Sequence, residues 1–292
     1  MFNFWYFFWI VMVIGAYVGL YFLLRNKSDK LKKIVLFSIL AFALLLHFLK
    51  AFIPPYSTDQ SRWFRDSWFI NICGANIFLF PFLFWSKNKV LKDYMFYIGV
   101  VSGLIALFYP MEPILKANQS AEILDVIRFY IHHAILWIVP LLMVTLKLHS
   151  LDYRRVVHMP ACLLALLLFI MLNQIFQSEL GFVPLRGDDI TEIGYKNTSY
   201  IWGPDDEISK ILTYLCPNFF KTVPVGEHAG EAKYWPWFWL IVPAYIVLIP
   251  LCFAISMIFK QERARFVSDV KALKDKLIAW KNSQKSKNKE NN

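Results

Sequence analysis

The sequence predicts an all-α polytopic membrane protein of about seven transmembrane helices, with its N-terminus outside and its C-terminus in the cytoplasm. Three observations carry that prediction. Of the 292 residues, 58% are hydrophobic, 18% are aromatic and only 18% are charged, at a mean hydropathy of +0.45. Such a chain is too apolar to be soluble. Its apolar residues gather into runs near the ~20 residues that cross ~30 Å of hydrocarbon. Its Lys and Arg residues are unevenly shared between the connections, and basic residues close to helix ends stay on the cytoplasmic side.

The runs cover residues 4–24, 34–49, 67–85, 94–108, 127–146, 156–176 and 235–259. The first lacks a basic start and a small-residue cleavage site, so it reads as a retained helix and not a signal peptide. The fourth is the shortest, and residues 111–115 extend it past Pro110. The connections 25–33, 86–92 and 147–155 and the tail from Lys260, with the acidic residues at their helix ends, hold 21 of the 31 basic and 7 of the 21 acidic residues, a net +14. The opposite connections hold the remaining 10 and 14, a net −4. That asymmetry fixes the predicted orientation.

The chain then divides into a seven-helix transmembrane domain over 1–259 and a basic cytoplasmic tail over 260–292. The domain includes one long outer segment, 177–234, with an interfacial helix expected near 207–215, where apolar residues recur at helical spacing. Trp235, Trp237 and Trp239 around Pro236 read as an aromatic belt at the water boundary. The tail reads as a short amphipathic helix ending in the polar run KNSQKSKNKENN, drawn to anionic lipid heads. The overall charge of +10 therefore needs no nucleic acid. The four cysteines form no disulfide framework, and CxxC and HExxH spacings are absent, so neither a metal nor a cofactor is expected.

Within the third run, INICGANIF (70–78) places Asn71, Cys73, Gly74 and Asn76 inside hydrocarbon. At a rise of 1.5 Å per residue, Cys73 lies about 10 Å below the outer boundary, His133 about 8 Å, Asn173 about 6 Å and His47 about 5 Å. Four helices thus bring Cys, His, Asn and His to one level. Polar groups cost several kcal/mol in hydrocarbon unless paired or facing a wet cavity, so their convergence predicts a pocket. Singly, such a Cys is a small hydrophobe and such an Asn or His is interhelical glue. Together they point to chemistry: a thiolate is the attacking species, and an imidazole can take its proton and remain as counter-charge. His132 points about 100° away from His133, so at most one of the two faces a given partner.

Four segments carry a family likeness: NICGANIFLFPF (71–82), FYIHHAILWIVPL (129–141), MLNQ (171–174) with NTSYI (197–201), and YWPWFWLI (234–241). Over residues 35–259 the chain resembles the YwaF-type integral membrane proteins of bacteria, relatives of transmembrane protein 164. The resemblance implies a phospholipid acyltransferase with Cys73 as the acyl-accepting nucleophile and His133 as its base, His132 being the alternative. It also implies a supporting role for Asn173 in the polar cluster and a frame of Trp235 and Trp237 with Tyr200 around the substrate. His47, Asn71 and Asn76 complete the expected polar level. Asn71 stands where bacterial members tend to carry His, and Ser199 stands before Tyr200 where they carry Asn.

The expected donor is a phospholipid and the expected acceptor a lysophospholipid or the free amine of a diacylated lipoprotein, at the outer leaflet of the plasma membrane. Two other functions compete. A transporter or flippase would use the same polar cavity but needs a polar path through the inner half, where Ser102 and Thr145 are among the few candidates. A phospholipid hydrolase would use water as the acceptor.

Overall fold

The computed structural model describes residues 3–54, 56–58, 68–110, 123–181 and 199–290. Among these residues the elements are helices, and the β-pairing is limited to an isolated bridge between Thr222 and Ala232. In chain order they are α1 (Phe4–Leu24), α2 (Asp29–Leu49), α3 (Ile72–Trp85), α4 (Lys89–Phe108), α5 (Ile123–Thr145), α6 (Met159–Glu179), α7 (Glu207–Thr213), α8 (Ile241–Ser256) and α9 (Lys260–Glu290). Six of them are long and apolar enough to cross a membrane, counting the 3-10 turns that extend α2, α6 and α8. The seventh apolar helix, α3, has 14 residues, about 21 Å, and stops short of the ~30 Å core.

That shortness is local chemistry. Helix α3 was expected from residue 67, but it begins at Ile72 because Asn71 takes the cap position with extended backbone (φ −137°, ψ 162°). Its Oδ1 accepts the Gly74 N–H at 2.6 Å, satisfying a donor that the helix itself leaves orphaned. The ~10 Å depth expected for Cys73 therefore does not hold, since it assumed helix from residue 67 and residues 68–71 enter as non-helical chain. The apolar run at 235–259 also starts its long helix late, at Ile241: Trp237 sits at φ +66° after Pro236, and a positive φ cannot continue a right-handed helix. The proposed extension over 111–115 lies outside the described residues.

The centre of the bundle is the α4–α5 contact. Gly99 and Gly103 are spaced i, i+4 on α4 and face α5 without side chains. A Cβ at Gly99 would lie 2.5 Å from the Leu136 carbonyl oxygen and 2.8 Å from the Phe80 ring; one at Gly103 would lie 2.8 Å from the His133 carbonyl oxygen. Small residues at this spacing let two backbones approach closely where no hydrophobic drive separates helix from lipid. Gly99→Ala is expected to lower the thermal midpoint in detergent, with an overpacking cost of about 1–3 kcal/mol. An unchanged midpoint would show that the helices can separate without loss.

Helix α1 packs its inner side on α5, with Trp9 stacked on Tyr130 at 4.8 Å and the Tyr6 hydroxyl donating to the Phe108 carbonyl. Phe4, Trp5, Phe7 and Val11 remain exposed on its other side, as expected where lipid replaces protein.

At the end assigned to the cytoplasm, Asp93 is fully buried and accepts from Arg155 Nε and Nη2 while His149 Nε2 lies 2.7 Å away. The same loop anchors the tail. Glu262 accepts the Tyr153 backbone N–H at 2.7 Å, Arg265 donates to the Leu151 carbonyl, and Asp269 pairs with Arg154 at 2.6 Å. Phe266 packs between Tyr153 and Phe253. The tail is thus one docked helix of 31 residues and not a short one, consistent with its Lys, Glu, Ala and Leu content.

The described part of the segment before α8, residues 199–234, folds back on the bundle. A helix forms at Glu207–Thr213, within the expected span, started by a capping box between Asp206 and Ser209. Of the three tryptophans read as a water-boundary belt, Trp235 and Trp237 are partly exposed and Trp239 is 0% exposed; Trp202, from the preceding segment, is 2% exposed. For the two buried rings the fold provides polar partners. Their indole N–H groups donate to the Tyr200 carbonyl (2.9 Å) and to Gln174 Oε1 (2.7 Å). Trp237 donates to the Leu164 carbonyl at 2.8 Å, deep along α6. Buried indoles require such partners, and only the folded chain supplies them.

Candidate functional site

Helix ends and registers bring the expected residues to one level. Cys73 precedes the inner end of α3 (Trp85) by 12 residues, and His133 precedes the inner end of α5 (Thr145) by 12; at 1.5 Å per residue both stand about 18 Å above those ends. Asn173 is 14 residues beyond Met159, about 21 Å up α6. Cys73 is the second residue of α3 and is half-buried. The first turn of a helix concentrates free N–H groups and the positive end of the dipole, so negative charge is favoured there.

His47 closes the site from α2. It is 3% exposed, and its Cε1 lies 3.6 Å from where a Gly74 Cβ would be. A Cβ at position 74 would touch the ring at ordinary contact distance and would press on Asn71 Oδ1 at 3.2 Å. The His47 ring stacks on Phe69 (6.1 Å) and on His132 (5.9 Å). Phe69 itself is buried by the non-helical entry to α3, so the late helix start provides the cover.

The two adjacent histidines are held in opposite protonation patterns. His132 Nδ1 lies 3.1 Å from Arg128 Nη1. A guanidinium only donates, so this nitrogen accepts, and the neutral ring carries its proton on Nε2. That Nε2 is buried without a hydrogen-bond partner. His133 Nδ1 lies 2.8 Å from the Phe129 carbonyl oxygen. A carbonyl only accepts, so Nδ1–H donates, and the neutral ring presents a basic lone pair at Nε2. One ring offers a donor and its neighbour an acceptor.

Arg128 is in turn fixed by Asp125, with Nε at 2.8 Å and Nη2 at 2.5 Å from Oδ1. Asp125, 3% exposed, also accepts from the Tyr56 hydroxyl at 3.3 Å. Asp125, Arg128 and Tyr56 were not among the expected site residues. The signal was present for two of them, since Asp125, Arg128 and His132 follow at i, i+3 and i+7 on one face of a helix. Tyr56 carried no such signal.

The other expected residues have structural partners as well. Asn71 is the cap already described. Asn76 Oδ1 accepts from the Tyr94 hydroxyl at 2.9 Å, tying α3 to α4, while its Nδ2 is buried without a partner. Asn173 Nδ2 is likewise unpartnered. The polar groups of Tyr200, Trp235 and Trp237 are engaged in holding the outer segment: Tyr200 to Asp206, Trp235 to the Thr222 carbonyl, Trp237 to α6. Among the described residues no group of His, Cys, Asp and Glu is arranged to hold a metal ion.

The sequence model of the TMEM164 family matches residues 1–256. The chain belongs to that family. The match covers every apolar helix from α1 through α8, so the TMEM164 family assignment includes the whole Cys73 level. No curated protein and no solved structure matches the chain.

Proposed function

We propose that this chain is a membrane-embedded transferase that moves a fatty acyl chain from a phospholipid, through a thioester on Cys73, to an acceptor. The observation that carries the reading is the divided pair of histidines at the level of a cysteine in the first turn of a helix. His133 Nε2 takes the Cys73 proton, and the thiolate attacks the ester carbonyl carbon. The oxyanion that develops accepts from His132 Nε2–H beside the positive end of α3. When the tetrahedral intermediate collapses, the imidazolium returns its proton to the departing glycerol oxygen. Lysophospholipid leaves and the acyl chain stays on sulfur. A lysophospholipid hydroxyl, or the free amine of a diacylated lipoprotein, then attacks the thioester. His133 takes that proton and Cys73 leaves as thiolate, to be reprotonated. Asp125 and Arg128 act through His132 by keeping Nδ1 an acceptor.

The charge asymmetry of the connections supports an outer-leaflet site, and the membrane in this reading is the plasma membrane. Asn173 and Asn76 extend the donors available to substrate, and Trp235 and Tyr200 frame the outer side, whereas the Trp237 indole reaches inward to the Leu164 carbonyl. Neither metal nor cofactor is needed for these steps.

The decisive experiment uses the purified protein in mild detergent with phospholipid, read by intact-protein and peptide mass spectrometry. A hydroxylamine-sensitive acyl adduct on Cys73, accompanied by lysophospholipid and lost in Cys73→Ser, is the expected result. Free fatty acid accumulating without any added acceptor would make the protein a hydrolase. Absence of both adduct and lysophospholipid across several lipids would end the catalytic reading and leave a binding or transport cavity.

A further inference from the structure

At the opposite end of the bundle a second recess of about 210 Å³ opens between α2, α3, α4 and α5, lined by Lys33, Lys87 and Lys92 with Trp85, Ser86 and Leu148. Its chemistry is one-sided. Three lysines line one recess, Lys33 and Lys87 exposed, and among the described residues none has a carboxylate partner. The acids next to them in sequence on α2 and α4 are committed elsewhere: Asp29 to Lys32, and Asp93 to Arg155 and His149. Lys92 is half-buried and Lys33 repels it. Gathering like charges beside a partly desolvated ammonium is unfavourable unless an anion completes the site. The start of α4 adds to this field, because Asn88 caps the helix within the same connection and the first turn favours anions.

From this cluster we infer that the recess is a binding site for a phosphate group. Its volume is below the ~300–1,000 Å³ of sites that enclose drug-sized ligands; it admits a phosphate headgroup but not a whole lipid. The exposed Trp85 on its rim has the amphipathic character that sits at the headgroup level. Both an anionic lipid of the cytoplasmic leaflet and a free phosphate ester carry the required chemistry. The site is separate from Cys73 and does not depend on the proposed transfer.

The test is native mass spectrometry of the full chain released from micelles doped with phosphatidylglycerol or phosphatidylcholine. Parallel thermal melts are run in lipid-free detergent with inorganic phosphate or glycerol phosphate. Wild type is expected to retain one phosphatidylglycerol selectively, and Lys33→Gln/Lys87→Gln/Lys92→Gln to lose at least about tenfold in that retention, 1.4 kcal/mol. Lys→Arg at the same three positions should restore it. Lys271→Gln/Lys274→Gln/Lys276→Gln removes equal charge from α9 and should retain the lipid. Protection by phosphate or glycerol phosphate that needs the same three lysines, without lipid retention, assigns the site to a soluble phosphate. Equal loss in the α9 variant, or no lysine-dependent response in either arm, overturns the inference.

Discussion

His133→Gln is expected to leave Cys73 unacylated, whereas His132→Gln keeps turning over, although the two residues are neighbours in sequence. Glutamine places an amide N–H near the position of an imidazole Nε2 but has no basic lone pair. At His133 the substitution removes the acceptor that the Phe129 carbonyl fixes at Nε2. Loss of a general base costs about 10²–10⁴ in rate. At His132 the substitution preserves a donor where the Arg128 contact fixes one; His132→Phe removes it and should cost about 10²–10³. Initial rates of lysophospholipid release decide the matter. If His132→Gln is inactive and His133→Gln turns over normally, the roles are exchanged and the tautomer argument fails. A merely structural His132 would also fail to separate Gln from Phe at equal thermal stability.

Asp93→Ala should be the most destabilising single substitution at the end of the bundle where α9 docks. The carboxylate is fully buried between Arg155 and His149, and it joins α4 to the loop that anchors α9. Its removal strands a guanidinium in a partly desolvated place, and breaking a buried pair from one side typically costs about 3–5 kcal/mol. Denaturant titration in micelles, read by α9 release and by global unfolding, should show the loss. Asp93→Leu combined with Arg155→Met should recover part of it, because the orphaned charge goes with its partner. A loss under about 1 kcal/mol for Asp93→Ala would mean that water reaches the pair and that it resembles an exposed bridge.

Much of this protein was determined by sequence alone, because hydrophobic length, cap residues and charge asymmetry are local properties. The run at 4–24 is helix α1 residue for residue, and the family likeness read in Cys73, His132 and His133 agrees with the family match. Rise per residue predicts one level for Cys73, His133, Asn173 and His47, but for Cys73 it assumes helix where Asn71 forms a cap.

What only the tertiary structure decided are the partners. Tyr56 reaches Asp125 across 69 positions, and Trp202 reaches Gln174 across 28; no periodicity encodes such pairings. The burial of Trp202 and Trp239, the docking of α9 through Tyr153 and Arg154, and the lysine recess belong to the same class. The two histidines stand between the two classes, because their partners lie four residues back on the same helix and only the rotamers were left to the fold. They are the same residue type, one position apart, and rotamer and depth alone leave either as the base. A ring nitrogen takes its role from the group opposite it, so a guanidinium from one turn earlier and a carbonyl of the same helix divide the two rings into donor and acceptor.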